Sequence, residues 1–246
     1  MTPGALDVPS PNHDARAAGE RLDMLILHYT GMGSAEAALA RLCDPTAKVS
    51  AHYLLDEEGR VIRLVPEQRR AWHAGAACWR GRADINGASL GIELVNPGHE
   101  FGYRPFPERQ MLALVELCRD LVGRYAIPPR HVLGHSDVAP ERKRDPGELF
   151  DWRRIAGAGV GLWPEVAVVR GELGLVLGRG DSGRPVAELQ HGLAEFGYKV
   201  PTEGVFDGAT AAVVTAFQRH FRPALCDGVA DGETVQRLFA LLRLID

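Results

Sequence analysis

Cysteine is scarce in this 246-residue chain, and the four present (Cys43, Cys78, Cys118 and Cys226) stand far apart with no CxxC pair. That spacing gives neither a cysteine-rich metal site nor a disulfide framework. Runs of 18 or more apolar residues are missing, so no segment reads as a membrane span. An excess of positive charge is also missing. The formal net charge is −4, and the basic triplet Arg142-Lys143-Arg144 is flanked by Glu141 and Asp145. A nucleic-acid partner would need a basic track along its phosphates, so none is expected. The first twenty residues lack a basic segment followed by an apolar one, and no signal peptide is visible. A cytoplasmic protein is therefore expected, with the periplasm or outer membrane as the alternative if an export signal lies outside this sequence.

What is present is the composition of a well-cored soluble protein, 46% hydrophobic and 24% charged. Residues 1–20, rich in Pro, Asp and Ala, read as an extended arm. Met24 to Leu27 is a short apolar run that fits a buried strand and delivers His28 at its end. Ser34 is placed to cap a helix through Leu42. Val49–Leu55 and Arg60–Val65 read as two strands of a hairpin about Glu57-Glu58-Gly59. Residues 69–89 read as one long loop carrying Trp72, His73, Arg82 and Asn86, a binding wall more than a connector. Leu90–Asn96 is a strand with Glu93 inside it. Pro107 opens a helix through Tyr125, with Met111, Leu114, Cys118 and Leu121 on one face. The expected fold class is α/β, a central mixed β-sheet flanked by helices.

After Trp152 the texture changes. Residues 157–183 are glycine-rich and alternate poorly, apart from a candidate strand over 165–169. Gly204-Val205-Phe206-Asp207-Gly208-Ala209-Thr210 recurs 24 positions later as Gly228-Val229-Ala230-Asp231-Gly232-Glu233-Thr234. Asp followed by Thr three residues on marks a helix start in each copy. An earlier helix carries Val186, Leu189, Leu193 and Phe196 and ends at Gly197. The expected organisation is a catalytic unit over residues 1–156, a linker over 157–175, and a small three-helix unit over 176–246.

Chemistry concentrates between His131 and Gly147, a charged, proline-broken loop that follows the apolar Val132-Leu133. His135 and Asp145 are both metal-ligand types, and catalytic zinc needs a third. His28, at a strand end, is the candidate; on position alone His52 and His73 rival it, and a hydrogen-bonded core histidine is an equal reading. Glu93 is a carboxylate in an apolar strand, which costs several kcal/mol (roughly) unless it is paired. Either a structural arginine or a water awaiting a general base would satisfy it. Lys143, two residues before Asp145, reads as a solvated loop lysine or as a fixed charge for an oxyanion.

Several motifs carry a resemblance in the same order along the chain. They are Leu27-His28-Tyr29-Thr30, Ser50-Ala51-His52-Tyr53, Arg70-Ala71-Trp72-His73-Ala74-Gly75 and Ser89-Leu90-Gly91-Ile92-Glu93. Gly134-His135-Ser136-Asp137-Val138-Ala139-Pro140, continuing through Arg142-Lys143-Arg144-Asp145-Pro146-Gly147, completes the set. Together they resemble the zinc-dependent N-acetylmuramoyl-L-alanine amidases of the amidase-2 family, AmpD and AmiD type. The resemblance implies one zinc ion bound by His28, His135 and Asp145, with Glu93 and Lys143 catalytic. Tyr53, Trp72, His73, Arg82 and Asn86 are expected to line the substrate groove. Residues from about 175 to 244 resemble a three-helix peptidoglycan-binding domain, through Leu189-Gln190, Gly204-Val205-Phe206-Asp207, Phe217-Gln218 and Asp227-Gly228. The implied partner is peptidoglycan or a muropeptide, with no obligate protein partner. A non-catalytic peptidoglycan-recognition protein of the same fold, or another zinc peptidase, is the alternative.

Overall fold

The N-terminal arm is not loose: its backbone is stitched into the edge of two sheets. A computed structural model of the chain describes residues 5–166 and 176–245. In the arm, β1 (Leu6–Asp7) and β2 (His13–Ala15) are short strands, and β3 (Met24–Tyr29) follows with all but its last residue buried. Helix α1 (Ala35–Cys43) begins at Ser34, whose hydroxyl accepts from the Ala37 N–H as a cap should. Next come β4 (Tyr53–Leu55) and β5 (Val61–Arg63), the expected hairpin, then β6 (Arg69–Ala71) and α2 (Ile85–Ala88). They lead to β7 (Ser89–Leu94), α3 (Gly98–Phe101) and α4 (Glu108–Tyr125). The series continues with β8 (Val132–Gly134), α5 (His135–Val138) and α6 (Trp152–Gly157). Helices α7 (Arg184–Phe196), α8 (Gly208–Phe221) and α9 (Gly232–Ile245) end the described chain.

The main sheet is mixed, in the order β1-β5-β4-β7-β3-β8, with β4, β7, β3 and β8 mutually parallel. Both central strands are covered on two faces, which is why β3 and β7 read as near-continuous apolar runs. Leu25, Leu27, Leu90 and Ile92 pack toward α4, through Met111, Leu114, Cys118 and Leu121. The alternate residues of β3, Met24 and Ile26, join Leu133 and Val138 in a second cluster. That cluster runs on without a break into Leu189, Phe196, Phe217 and Phe221 of the C-terminal helices.

Residues 69–89 depart from the single long loop expected. Their start is β6, paired antiparallel with β2 of the arm (His13 opposite Ala71), and their end is α2. The arm's own donors and acceptors need partners, and exposed edges supply them. In the C-terminal unit the two repeats behave as the sequence suggests. Asp207 accepts from the Thr210 N–H at 2.8 Å and Asp231 from the Thr234 N–H at 2.9 Å. These helices share an apolar cluster with the sheet instead of holding only a core of their own. The strand expected over 165–169 runs into residues outside those described.

Candidate active site

Parallel strands deliver their C-terminal ends to one edge of a sheet, where α/β proteins place ligands. Here β3 brings His28 and β7 brings Glu93, which are register partners. β8 hands the chain directly to His135, the first residue of α5. Asp145 is drawn in because the Ser136 N–H donates to its backbone carbonyl at 2.9 Å. The three side chains then converge. His28 Nδ1 lies 3.0 Å from His135 Nδ1 and 2.9 Å from Asp145 Oδ2, and His135 Nδ1 is 3.0 Å from the same oxygen. Ligands of a tetrahedral ion of zinc's size stand roughly 3.3 Å apart, so the triangle matches a metal site.

Neighbouring groups aim both imidazoles at this centre. His135 Nε2–H donates to the Ala74 carbonyl at 3.0 Å, leaving Nδ1 its lone pair. For His28 the tautomer is set by a longer chain. The Ser89 hydroxyl donates to the Ile85 carbonyl at 2.5 Å, so its oxygen accepts from His73 Nε2–H at 3.1 Å. His73 Nδ1 must then accept from His28 Nε2–H, at 3.0 Å, and His28 Nδ1 is left free to ligate. Gly91 makes room for this relay: a Cβ there would meet the His73 ring at 2.5 Å. Burial lowers the His28 pKa to about 4, with His135 adding to the effect and Asp145 opposing it. Burial also drives His73 well below the usual range. For Asp145 burial works upward, but the contacts with His135 and His28 prevail and hold it below ordinary carboxylates. Neutral imidazoles beside an ionised carboxylate are the protonation states a cation requires.

Glu93 is buried, and its Oε2 has no hydrogen-bond partner among the described residues. Burial raises its pKa well above the usual value; the Asp145 charge adds to this and the Lys143 charge opposes it. No arginine pairs with it among the described residues, which removes the structural explanation for its charge. Glu93, Lys143, His73 and the three converging residues all line one cavity of about 580 Å³.

The other expected groove residues lie elsewhere. Tyr53 sits on the α4 side of the sheet, where its hydroxyl donates to Glu67, because the strand alternation turns it away from Glu93's face. Arg82 is held at 2.6 Å by both Glu20 and Asp23, tying the segment between β6 and α2 to the chain just before β3. Asn86 is buried beneath the site, its Oδ1 accepting from the His73 and Ala74 N–H groups at 3.0 and 2.8 Å. Trp72 is half-buried, donates its backbone N–H to Ser50 Oγ, and does not reach the cavity. The walls are formed instead by Arg41, Arg142 and Arg144 and by the Pro97–Phe101 turn. In the sequence, aromatic and polar density points to residues 69–89. The better signal was the Asn96-Pro97-Gly98 turn, immediately after the strand that carries Glu93.

The chain is similar to known proteins in sequence and in fold. The family model described as N-acetylmuramoyl-L-alanine amidase matches residues 18–148, and a peptidoglycan binding domain model matches residues 182–238. N-acetylmuramoyl-L-alanine amidase AmiD of Escherichia coli is 40% identical over 93% of this chain and 85% of its own length. The 1,6-anhydro-N-acetylmuramyl-L-alanine amidase AmpD of Enterobacter cloacae is 36% identical over 61% of this chain and 88% of its own. A solved structure of E. coli AmiD in complex with anhydro-N-acetylmuramic acid-L-Ala-D-gamma-Glu-L-Lys superposes with a TM-score of 0.78 at 38% identity. It covers 94% of this chain and 92% of that one. With a histidine–histidine–aspartate centre at the strand ends and these matches along its length, the chain belongs to the N-acetylmuramoyl-L-alanine amidase family, enzymes that hydrolyse an amide bond.

Proposed function

We propose that the chain hydrolyses the amide between the lactyl group of N-acetylmuramic acid, or its 1,6-anhydro form, and L-alanine of the stem peptide. One zinc ion would be held by His28, His135 and Asp145. The observation that carries this reading is the convergence of those three donors beside the unpartnered Oε2 of Glu93. When bound, zinc supplies a Lewis acid for the scissile carbonyl and lowers the pKa of water. Glu93 takes the proton of the attacking water and returns it to the leaving amine of L-alanine. Lys143, from the same cavity wall, offsets the negative charge that develops on the carbonyl oxygen. Arg41, Arg142 and Arg144 give the cavity cations that suit the carboxylates of a stem peptide. We divide the chain into a catalytic unit over residues 1–156 and a wall-binding unit over 176–246, joined by 157–175.

A recognition protein that binds without cutting would need neither three converging ligand types nor a buried carboxylate without a hydrogen-bond partner; the convergence of His28, His135 and Asp145 beside Glu93 supports the hydrolase reading. No helix among the described residues is long and apolar enough to cross a membrane. The compartment, cytoplasm or cell envelope, is decided by fractionating cells that carry the full-length protein. The activity itself is tested on a purified muropeptide with the zinc-loaded protein. A sugar acid and a peptide with a free L-alanine amino terminus are the expected products. Cleavage within the peptide would assign a peptidase, and binding without cleavage would assign a recognition protein.

A further inference from the structure

Asp137 stands two residues beyond His135, with a side chain that is fully buried. Both of its carboxylate oxygens are engaged. Oδ2 accepts from the Gly134 N–H at 2.7 Å and from His220 Nδ1–H at 2.7 Å, while Oδ1 accepts from the Tyr198 hydroxyl at 2.6 Å. Gly134, the last residue of β8, turns the chain into α5, whose first residue is His135. Tyr198 follows α7 and His220 lies on α8, so two of the three donors come from the C-terminal unit. Apolar packing secures the same joint: Trp152 stacks on His220 with centroids 3.6 Å apart, and Tyr198 meets Trp79 edge-on at 5.0 Å.

A buried carboxylate that loses hydrogen-bond donors must turn or recruit water, because an unmet acceptor in a low-dielectric interior is costly. Asp137 cannot turn without releasing the Gly134 N–H, and that peptide leads directly into His135. The His135 ring has little freedom of its own, since Nε2 is fixed on the Ala74 carbonyl. Movement of the turn therefore moves Nδ1 relative to His28 and Asp145.

We propose that the three C-terminal helices complete the metal site: Tyr198 and His220 are positioning residues that hold Asp137, and through Gly134 keep His135 in ligating geometry. This rests on His28, His135 and Asp145 being the zinc ligands. The helices then form part of the catalytic body, whatever else they bind.

The test uses the full-length protein, freed of metal and titrated with zinc against a chromophoric chelator. Thermal midpoints are read with and without zinc. Tyr198→Phe removes one donor and keeps the ring on Trp79; His220→Phe removes the other and keeps the stack on Trp152. The double variant is expected to bind zinc about tenfold more weakly, the lower end of what losing outer partners of a metal ligand costs. Its zinc-induced rise in midpoint should shrink. His220→Asn, with an amide N–H near the place of Nδ1–H, should recover most of the affinity. A purely architectural role would lower both midpoints equally and leave zinc affinity unchanged, which overturns the proposal. Should the double variant not fold, Tyr198→Phe alone decides: it is expected to bind zinc a few-fold more weakly, and unchanged affinity again overturns the proposal. Wild-type protein that takes up no zinc overturns the metal reading itself, and this proposal with it. Tight wild-type binding with unaltered variants removes only the role of the helices.

Discussion

His28 and Glu93 face each other in register across two adjacent parallel strands, β3 and β7. Residues paired this way point to the same face of a sheet, so the backbone ladder alone fixes their separation. A metal-ligand type and an unpartnered carboxylate are thereby held side by side on rigid elements. His135, which opens α5 directly after β8, and Asp145, from the loop that follows, are brought to that pair.

Glu93 is expected to be the proton carrier. Glu93→Gln keeps the shape and removes the charge, and turnover should fall by about 10²–10⁴-fold with zinc stoichiometry unchanged. Steady-state rates on a muropeptide, paired with elemental analysis, check both halves. Activity near the wild-type level would take Glu93 out of the mechanism.

Metal removal should abolish activity and zinc should restore it. A ligand that binds only the folded state stabilises it by about 4 kcal/mol at a thousandfold excess over its dissociation constant. The chelated protein should therefore melt at a lower temperature than the zinc-loaded one. Full activity in protein shown to be metal-free would contradict the site.

Gly91 is expected to tolerate no side chain. Its added Cβ would meet the His73 ring at 2.5 Å, and that ring is already held between His28 and Ser89. Gly91→Ala should cost about 1–3 kcal/mol through overpacking. It should also weaken zinc binding, because His28 loses the partner that sets its tautomer. Urea unfolding and a zinc titration measure the two effects, and an unaltered variant would show that the ring has room to move.

Acid should destabilise the metal-free protein in a defined window. Burial holds His28 at about 4, and burial reinforced by the Arg16 charge holds His52 at about 3, against an ordinary value near 6.5. Below pH 6.5 the unfolded chain takes up protons that His28 refuses until about pH 4 and His52 until about pH 3. Stability from these groups is thus complete above 6.5 and lost progressively as pH falls, toward 4 for His28 and toward 3 for His52. Glu67 acts in the same direction over a lower range. Burial would raise it, but bonds from Arg124, Tyr125 and Tyr53 prevail and hold it at about 2, so its contribution is lost between about 4.5 and 2. The urea midpoint of metal-free protein should fall between pH 7 and pH 5. A flat profile would mean that these histidines titrate normally.

Local signals were legible in the chain itself. Ser34, Asp207 and Asp231 cap helices through bonds to residues three positions on, and apolar runs mark β3 and β7, because such features depend only on near neighbours. The motif residues His28, Glu93, His135 and Asp145 were likewise readable as chemical types at strand ends and in one loop. Packing between layers decided the rest. It turned Tyr53 toward α4 and used Arg82 and Asn86 as braces. It also built the cavity walls from Arg41 and the Pro97–Phe101 turn. Only the folded chain joins Asp137 to Tyr198 and His220, 61 and 83 residues away. The sequence thus determined which chemistry is available and where helices and strands begin. Tertiary structure decided which side chains share a space, since contacts between distant segments follow from how whole faces bury their apolar surface and leave no local pattern to read.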